Sequence, residues 1–451
     1  MKETFRSVSS ISIVAVALAC AVVTPASSEP MPRAEGWLAK SYDQVALPAS
    51  PNGVQSELAA LKGIVAKRMP DDVARFQWWS AGGPVYRWNE MILDEMQEAF
   101  VTLPLSARHL ALFHTALDDA IAAARQHRKS AARAESSGMD AAVNANLKSA
   151  AALSPSEYAA AAVTASEVLG YLFPARAAHF TAKAEEAMQT RLLGGAEYPH
   201  EVAAGRAIGQ HVAALAIARG KSDGSDAKWT GAVPEGKGLW KGTTPIAPLA
   251  GTWKTWVLAH GAEVRPSLPP DVESDQVKAD LNELKTFKRT PKSNHRAVFW
   301  EVNGGARAHT LWNEITRTKL LEHRYAPQAS ARILAAVNIA LMDAGIACWD
   351  AKYTFWYARP AMLDPEVKPL FATPNHPSYP SAHSCFSTAA ATVLARVFPS
   401  DSARLMAVAK EASEARIWAG IHYRFDIDAG ENIGRNVAEK TLDRAFAART
   451  N

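Results

Sequence analysis

Apolar residues recur at helical spacing along most of this chain. Ala- and Leu-rich stretches with that period cover Ser106 to Arg128, Tyr158 to Phe173, Glu201 to Arg219, Ala329 to Ala351, Ser384 to Phe398 and Ser402 to Gly420. Unbranched side chains of this kind lose little rotamer freedom in a helix. Alternating Val/Ile/Thr runs closed by hairpin turns are scarce, so the pattern predicts an all-α protein. One stretch breaks the period: Gly220 to Pro270, rich in Gly, Pro, Lys and Trp, reads as a long irregular connection between two helical halves.

The halves resemble each other. Trp88-Asn89-Glu90 returns as Trp312-Asn313-Glu314, an offset of 224 (312 − 88), and Ser106-Ala107-Arg108 returns at the same offset as Ser330-Ala331-Arg332. Shifted by one residue, Pro155-Ser156 faces Pro380-Ser381, Val168-Leu169 faces Val393-Leu394, and Phe173-Pro174 faces Phe398-Pro399. Matching alanines carry little weight in Ala-rich helices; the Trp-Asn-Glu and Phe-Pro pairs carry more. The expectation is an internal duplication, two related helical bundles packed about a pseudo-twofold axis. The expected division is 1–28 as a secretory signal peptide, 29–219 as an N-terminal helical half, 220–270 as the connection and 271–451 as a C-terminal helical half.

Composition narrows the function classes. With 451 residues, 48% apolar and 21% charged, the chain can bury a large core. A net charge of +4 without a Lys/Arg block gives no footprint for nucleic acid. Lys2 and Arg6 precede an apolar run from Ile11 to Val23, and small residues Thr24, Ala26, Ser27 and Ser28 follow, the layout of a signal peptide cleaved after Ala26 or Ser28. That predicts a periplasmic or secreted protein. The run is short for a transmembrane helix, and no later segment has the uninterrupted apolar length of one, so no stable span is expected. Leu18-Ala19-Cys20 suggests a lipoprotein site, but the apolar run continues past Cys20, which argues against it. Cys348 and Cys385 then remain, too few for a disulfide framework and without zinc spacing; whether they pair is open.

The candidate chemistry lies near the C-terminus in three blocks: Lys352 with Arg359-Pro360; Pro380-Ser381-Ala382-His383; and Arg416 with His422 and Asp426. Arg and Lys offer fixed positive charge and N–H donors that suit the oxygens of a phosphate-like group. A serine hydroxyl and nearby backbone N–H groups add donors. Two histidines can divide the labour, one bonding the central atom and one moving protons. Asp426, one helical turn after His422, can hold the other nitrogen of that imidazole.

Lys, six residues, Arg-Pro; Pro-Ser-small-His; Arg, five residues, His, three residues, Asp: this order resembles the superfamily of type 2 phosphatidic acid phosphatases and vanadium-dependent haloperoxidases. Asp350 to Pro360 and Gly420 to Asp426 are more similar to the haloperoxidase branch. The resemblance implies two four-helix bundles and vanadate held through His422 as metal ligand. Lys352, Arg359, Ser381, Ala382 and Arg416 would then hold the oxyanion, with His383 as acid/base and Asp426 orienting His422. It implies hydrogen peroxide and halide as substrates, and leaves room for a homodimer. The alternative is an exported acid phosphatase acting on a phosphate monoester without a cofactor, with His422 as nucleophile forming a phosphohistidine and His383 protonating the leaving alcohol.

One position departs from the superfamily pattern. Ala382 stands where glycine is usual; it keeps the N–H but would cost about 1 kcal/mol or more if a positive φ were required. Only the C-terminal copy is expected to bind an anion: Arg128 stands opposite Lys352, Tyr158 opposite His383, and no His-Asp pair faces His422 and Asp426. Blander roles exist for several residues. Ser381 suits a helix cap, Lys352 and Arg359 a solvated helix end, Trp356 and Tyr357 aromatic packing, and Arg424 and Asp428 the periphery or surface. His376 is a candidate for the entrance.

Overall fold

A computed structural model describes residues 35–49, 54–127 and 154–446; the expected signal peptide, Cys20 and the predicted helix end at Arg128 lie outside them. The described N-terminal half contains α1 (Val54–Val65), α2 (Pro70–Ser80), α3 (Tyr86–Glu98), α4 (Leu105–Gln126), α5 (Glu157–Leu172), α6 (Ala177–Leu193) and α7 (Pro199–Lys221). After the connection come α8 (Asp275–Thr286), α9 (Pro291–Glu301), α10 (Arg307–Glu322), α11 (Pro327–Phe355) and the single turn α12 (Pro360–Leu363). Three helices close the chain, α13 (Ala382–Val397), α14 (Ser402–Trp418) and α15 (Arg424–Phe446). The all-α expectation holds: among the described residues the only β feature is an isolated bridge between Leu239 and Tyr357.

The longest helix, α11, is the axis of the fold. It opens with proline at its first turn, where a missing N–H costs nothing. It stops at Trp356, which takes a left-handed conformation (φ 48°). Arg359 is extended (ψ 154°), as the following proline demands. Among the described residues α11 alone is long and apolar enough to cross a bilayer, and its apolar window is wholly buried inside the protein. It packs against α4, which joins the two halves, and against α13 and α15. One apolar core runs from Tyr42 to Ala445 through both halves.

Each half repeats the same close packing. On α15, a Cβ added at Gly430 would lie 2.6 Å from the Ser381 carbonyl oxygen, and one at Gly434 would lie 2.7 Å from that of Cys385. On α7, Gly205 and Gly209 meet the Ser156 and Ala160 carbonyls at 2.4 and 2.7 Å. Only glycine lets these helix backbones approach so closely. The helices also begin and end in step: α5 and α13, α6 and α14, and α7 and α15 are each offset by 225 residues at both ends (382 − 157, 397 − 172; 402 − 177, 418 − 193; 424 − 199, 446 − 221). Between the halves, Asn89 Nδ2 donates to Asn313 Oδ1 at 2.9 Å.

The connection is irregular but anchored. It carries only two 3-10 turns, Ala250–Thr252 and Gly261–Val264. Buried Asp343 on α11 accepts from the backbone N–H groups of Trp256 (3.0 Å), Val257 (2.8 Å) and Leu258 (3.1 Å), which satisfies its charge and pins the segment to the core.

Candidate functional site

The three sequence blocks converge at helix ends around the start of α13. Lys352 lies in the last turn of α11, Arg359 caps α12, and Arg416 lies in the last turn of α14. His422 follows the left-handed Gly420 (φ 74°), and Asp426 lies in the first turn of α15. Ser381 is the N-cap of α13, with Ala382 and His383 as its first two residues. The Ser381 N–H donates to the Asp426 carbonyl (2.9 Å), which ties α13 to α15. Lys352, Arg359, Ser381, Ala382, His383, Arg416, His422 and Asp426 are each 5% exposed or less. A solvated helix end is therefore excluded for Lys352 and Arg359. Ser381 does act as the expected cap, accepting from Ser384 N–H, and the first-turn N–H groups of α13 make its surroundings favourable for an anion.

Hydrogen bonding fixes the tautomer of His422. Its Nδ1 lies 2.7 Å from Asp426 Oδ2, a carboxylate oxygen that accepts, so the ring proton sits on Nδ1. Nε2 then carries the lone pair, and Arg359 Nη1 donates to it (2.9 Å). Asp426 Oδ2 also accepts from Ser378 Oγ (2.6 Å) and from Tyr423 N–H (3.2 Å). Burial raises the Asp426 carboxyl to about 6. Burial, then the nearby Arg359, holds His422 well below the usual histidine range, so Nε2 is unprotonated and nucleophilic at neutral pH.

The three cations are employed differently. Lys352 Nζ donates to the carbonyls of Pro377 (2.9 Å), Ser378 (2.8 Å) and Pro380, which uses its three N–H groups on the loop before Ser381. Its charge acts on His422 and Asp426, and burial lowers its ammonium to about 8. Arg359 bonds the carbonyls of His376 (3.0 Å) and Ile421 (2.9 Å) besides His422. Arg416 Nη2 pairs with Glu301, yet its Nε and Nη1 are buried without a hydrogen-bond partner among the described residues. The two unpaired Arg416 donors are buried hydrogen-bonding capacity, on a guanidinium whose charge acts on His422, that a small oxyanion would have the charge and acceptors to fill.

His383 Nε2 bonds the Trp300 carbonyl (2.8 Å), an acceptor, so its basic nitrogen is Nδ1. Burial, then Arg416, keeps this ring well below the usual histidine range. Ala382 is not among the residues with positive φ. As the first residue of a helix it pays no conformational penalty, and the cost allowed for it does not arise.

Two neighbours, Glu301 and Ser378, escaped the sequence reading, and a third, His376, was read only as a candidate for the entrance. Glu301 reaches Arg416 from the end of α9, 115 residues away in sequence. Ser378 supports Asp426, although it lies three residues before Ser381. His376 is buried with Nδ1 3.0 Å from Arg359 Nη2, so it belongs to the support of the cradle as well as to its neighbourhood. Its place five residues before Ser381 was the available signal; Glu301 offered none. Trp356 joins Trp229, Trp240 and Tyr353 in an aromatic cluster, and Tyr357 packs on Tyr423 and Phe425. Arg424 is paired with Glu283 and Glu414, and Asp428 is exposed.

Residues 332–438, which contain every candidate site residue, match the sequence model of the PAP2 superfamily. The structure is similar to that of a bacterial vanadium-dependent iodoperoxidase, with a TM-score of 0.63 and 22% identity over 80% of this chain and 96% of that one. It is also similar to the holo form of a bacterial vanadium-dependent chloroperoxidase (TM-score 0.56, 15% identity, 77% and 93% covered). The apo form gives a TM-score of 0.57 at 16% identity, with 77% and 95% covered. Comparison with curated protein sequences gives no match. The superfamily resemblance read from the three blocks stands, and at these identities the likeness to haloperoxidases is one of fold.

Proposed function

We propose that this protein is a vanadium-dependent haloperoxidase, binding vanadate in the cradle and using hydrogen peroxide to oxidise halide. The observation that carries the reading is buried Arg416, whose Nε and Nη1 lack partners among the described residues, in the same electrostatic cluster as the unprotonated Nε2 of His422. The donor set fits the group: Arg416, Arg359, Ser381 and the Ala382 N–H would hold the oxygens, Lys352 would add its charge while its N–H groups stay on the loop carbonyls, and His422 Nε2 would hold the metal. Bound vanadate supplies activation of peroxide toward a nucleophilic halide.

The chain's own residues supply the rest. Asp426 holds the Nδ1 proton and orients the ring, as carboxylates behind ligating histidines commonly do. Arg359 donates to Nε2 in the free protein, and engagement of that nitrogen releases the N–H for an anion oxygen. His383 Nδ1 takes and returns the proton of incoming peroxide: burial and Arg416 keep the ring neutral, so Nδ1 is free to accept, as a weaker base than an ordinary histidine that gives the proton back readily. Lys352 keeps the loop before Ser381 in place through its three carbonyl contacts.

Near-complete burial of the cradle favours substrates of a few atoms, such as peroxide and halide, over a bulky phosphate ester. The test uses purified protein with and without added vanadate, assayed for bromide or iodide oxidation by peroxide and for aryl phosphate hydrolysis. Vanadate-dependent halide oxidation is the expected result. Phosphate release that vanadate inhibits would replace this reading with phosphohistidine chemistry at the same His422.

A further inference from the structure

The N-terminal half repeats, at the offset of 225, the local architecture that holds the cradle. Ser156 caps α5, and its N–H donates to the Glu201 carbonyl (3.0 Å), as Ser381 N–H does to that of Asp426 (2.9 Å). The Glu201 side chain, in the first turn of α7, accepts from Tyr198 N–H (2.9 Å), as Asp426 accepts from Tyr423 N–H (3.2 Å). Arg191 lies in the last turn of α6 as Arg416 does on α14, and Gly195 (φ 63°) follows it as Gly420 (φ 74°) follows Arg416.

The difference lies opposite His422, where the N-terminal half has Glu197. Arg191 Nε pairs with Glu197 Oε1 at 3.2 Å, whereas the same nitrogen of Arg416 has no partner among the described residues. Arg191 also lies 3.9 Å from the ring centroid of Tyr158, the counterpart of His383, and donates to Ser80 Oγ (3.3 Å).

We infer that the N-terminal half holds a second oxyanion cradle closed from within, in which the Glu197 carboxylate supplies to Arg191 the charge that a bound oxyanion supplies to Arg416. The inference rests on the oxyanion reading of the C-terminal cradle. A carboxylate attached to the same chain competes at a high effective concentration, so a free anion does not displace it. Among the described residues this leaves one open cradle. Removing the carboxylate while keeping Arg191 opens the second cradle to a small tetrahedral oxyanion, inorganic phosphate being the simplest probe.

The experiment is calorimetric titration of the full-length protein with inorganic phosphate. Wild type is expected to bind one phosphate per chain. Glu197→Ala is expected to bind two, the second at least tenfold more weakly than the first, and Glu197→Ala with Arg191→Gln returns to one. A folded Glu197→Ala that still binds one phosphate overturns the inference, since Glu197 is then an ordinary ion-pair partner. If that variant does not fold, Glu197→Gln keeps the volume, and the same count of two against one decides. If wild type binds none while Glu197→Ala binds one through Arg191, the N-terminal inference stands and the C-terminal reading fails.

Discussion

Arg416→Met removes a guanidinium that is 1% exposed and whose Nε and Nη1 have no partner among the described residues, while keeping most of the side-chain volume. Hydrogen bonds involving a charged group contribute about 1.5–3 kcal/mol each, so losing two from a bound oxyanion costs about 3–6 kcal/mol. At about 1.4 kcal/mol per tenfold, the anion binds about 10²- to 10⁴-fold more weakly. Stability without anion should move the other way. The lost pair is with Glu301, whose side chain is 25% exposed, and such pairs contribute up to about 1 kcal/mol. Against this, about 1–3 kcal/mol is relieved for each unsatisfied buried donor that disappears. The anion-free variant should therefore melt at or slightly above the wild-type temperature. Two measurements check this: calorimetric titration with phosphate or vanadate, and thermal melting with and without the anion. Anion at about 100 times the wild-type Kd should stabilise wild type by about 2.7 kcal/mol and the variant by no more than about 0.4 kcal/mol. A variant that melts well below wild type in anion-free buffer, yet binds the anion within tenfold of it, would refute the role given to the unpaired donors.

Four further outcomes follow from the same geometry. Sulfate, whose charge is constant near neutrality, should lose affinity as pH rises through about 8, where Lys352 gives up its positive charge; turnover should also fall as pH drops through about 6, where Asp426 takes a proton and releases His422. An affinity flat from pH 7 to about 9.5 would remove Lys352 from the cradle's electrostatics. Gly430→Ala places a Cβ 2.6 Å from the Ser381 carbonyl oxygen and should cost about 1–3 kcal/mol in chemical denaturation and weaken phosphate binding, whereas Gly63→Ala on α1, with nothing within 4 Å, should stabilise by up to about 1 kcal/mol. Ala382→Gly should leave phosphate affinity within threefold of wild type in the same titration, because the helical backbone at this position gives glycine no advantage. For His383→Ala, the anion should still bind by calorimetry while steady-state turnover falls about 10²- to 10⁴-fold, the range for loss of a general acid–base; weak binding with an unchanged rate would contradict its proton-transfer role.

Much of the frame was legible in the chain. The apolar period marked α4, α5, α7, α11, α13 and α14 to within a few residues, because a core-facing helix must show apolar side chains at its own repeat. The interruption at Gly220 to Pro270 falls where the structure has only 3-10 turns, although α7 runs on to Lys221. The three blocks were legible for a related reason: the helix ends that carry them impose short, fixed spacings, such as the single turn from His422 to Asp426. Ser381 was open between cap and anion contact, and the structure shows it as the buried cap of α13.

What sequence alone determined is therefore local: which segments are helical, where they stop, and which residue types stand at those ends. Tertiary structure decided how each polar group is satisfied. Lys352 spends its donors on three carbonyls, Arg416 keeps two in reserve, Glu301 arrives from another helix, and Arg191 is answered by Glu197. The physical reason is that helix formation depends on neighbours within a turn or two, whereas desolvation and hydrogen-bond saturation depend on every chain segment packed around an atom.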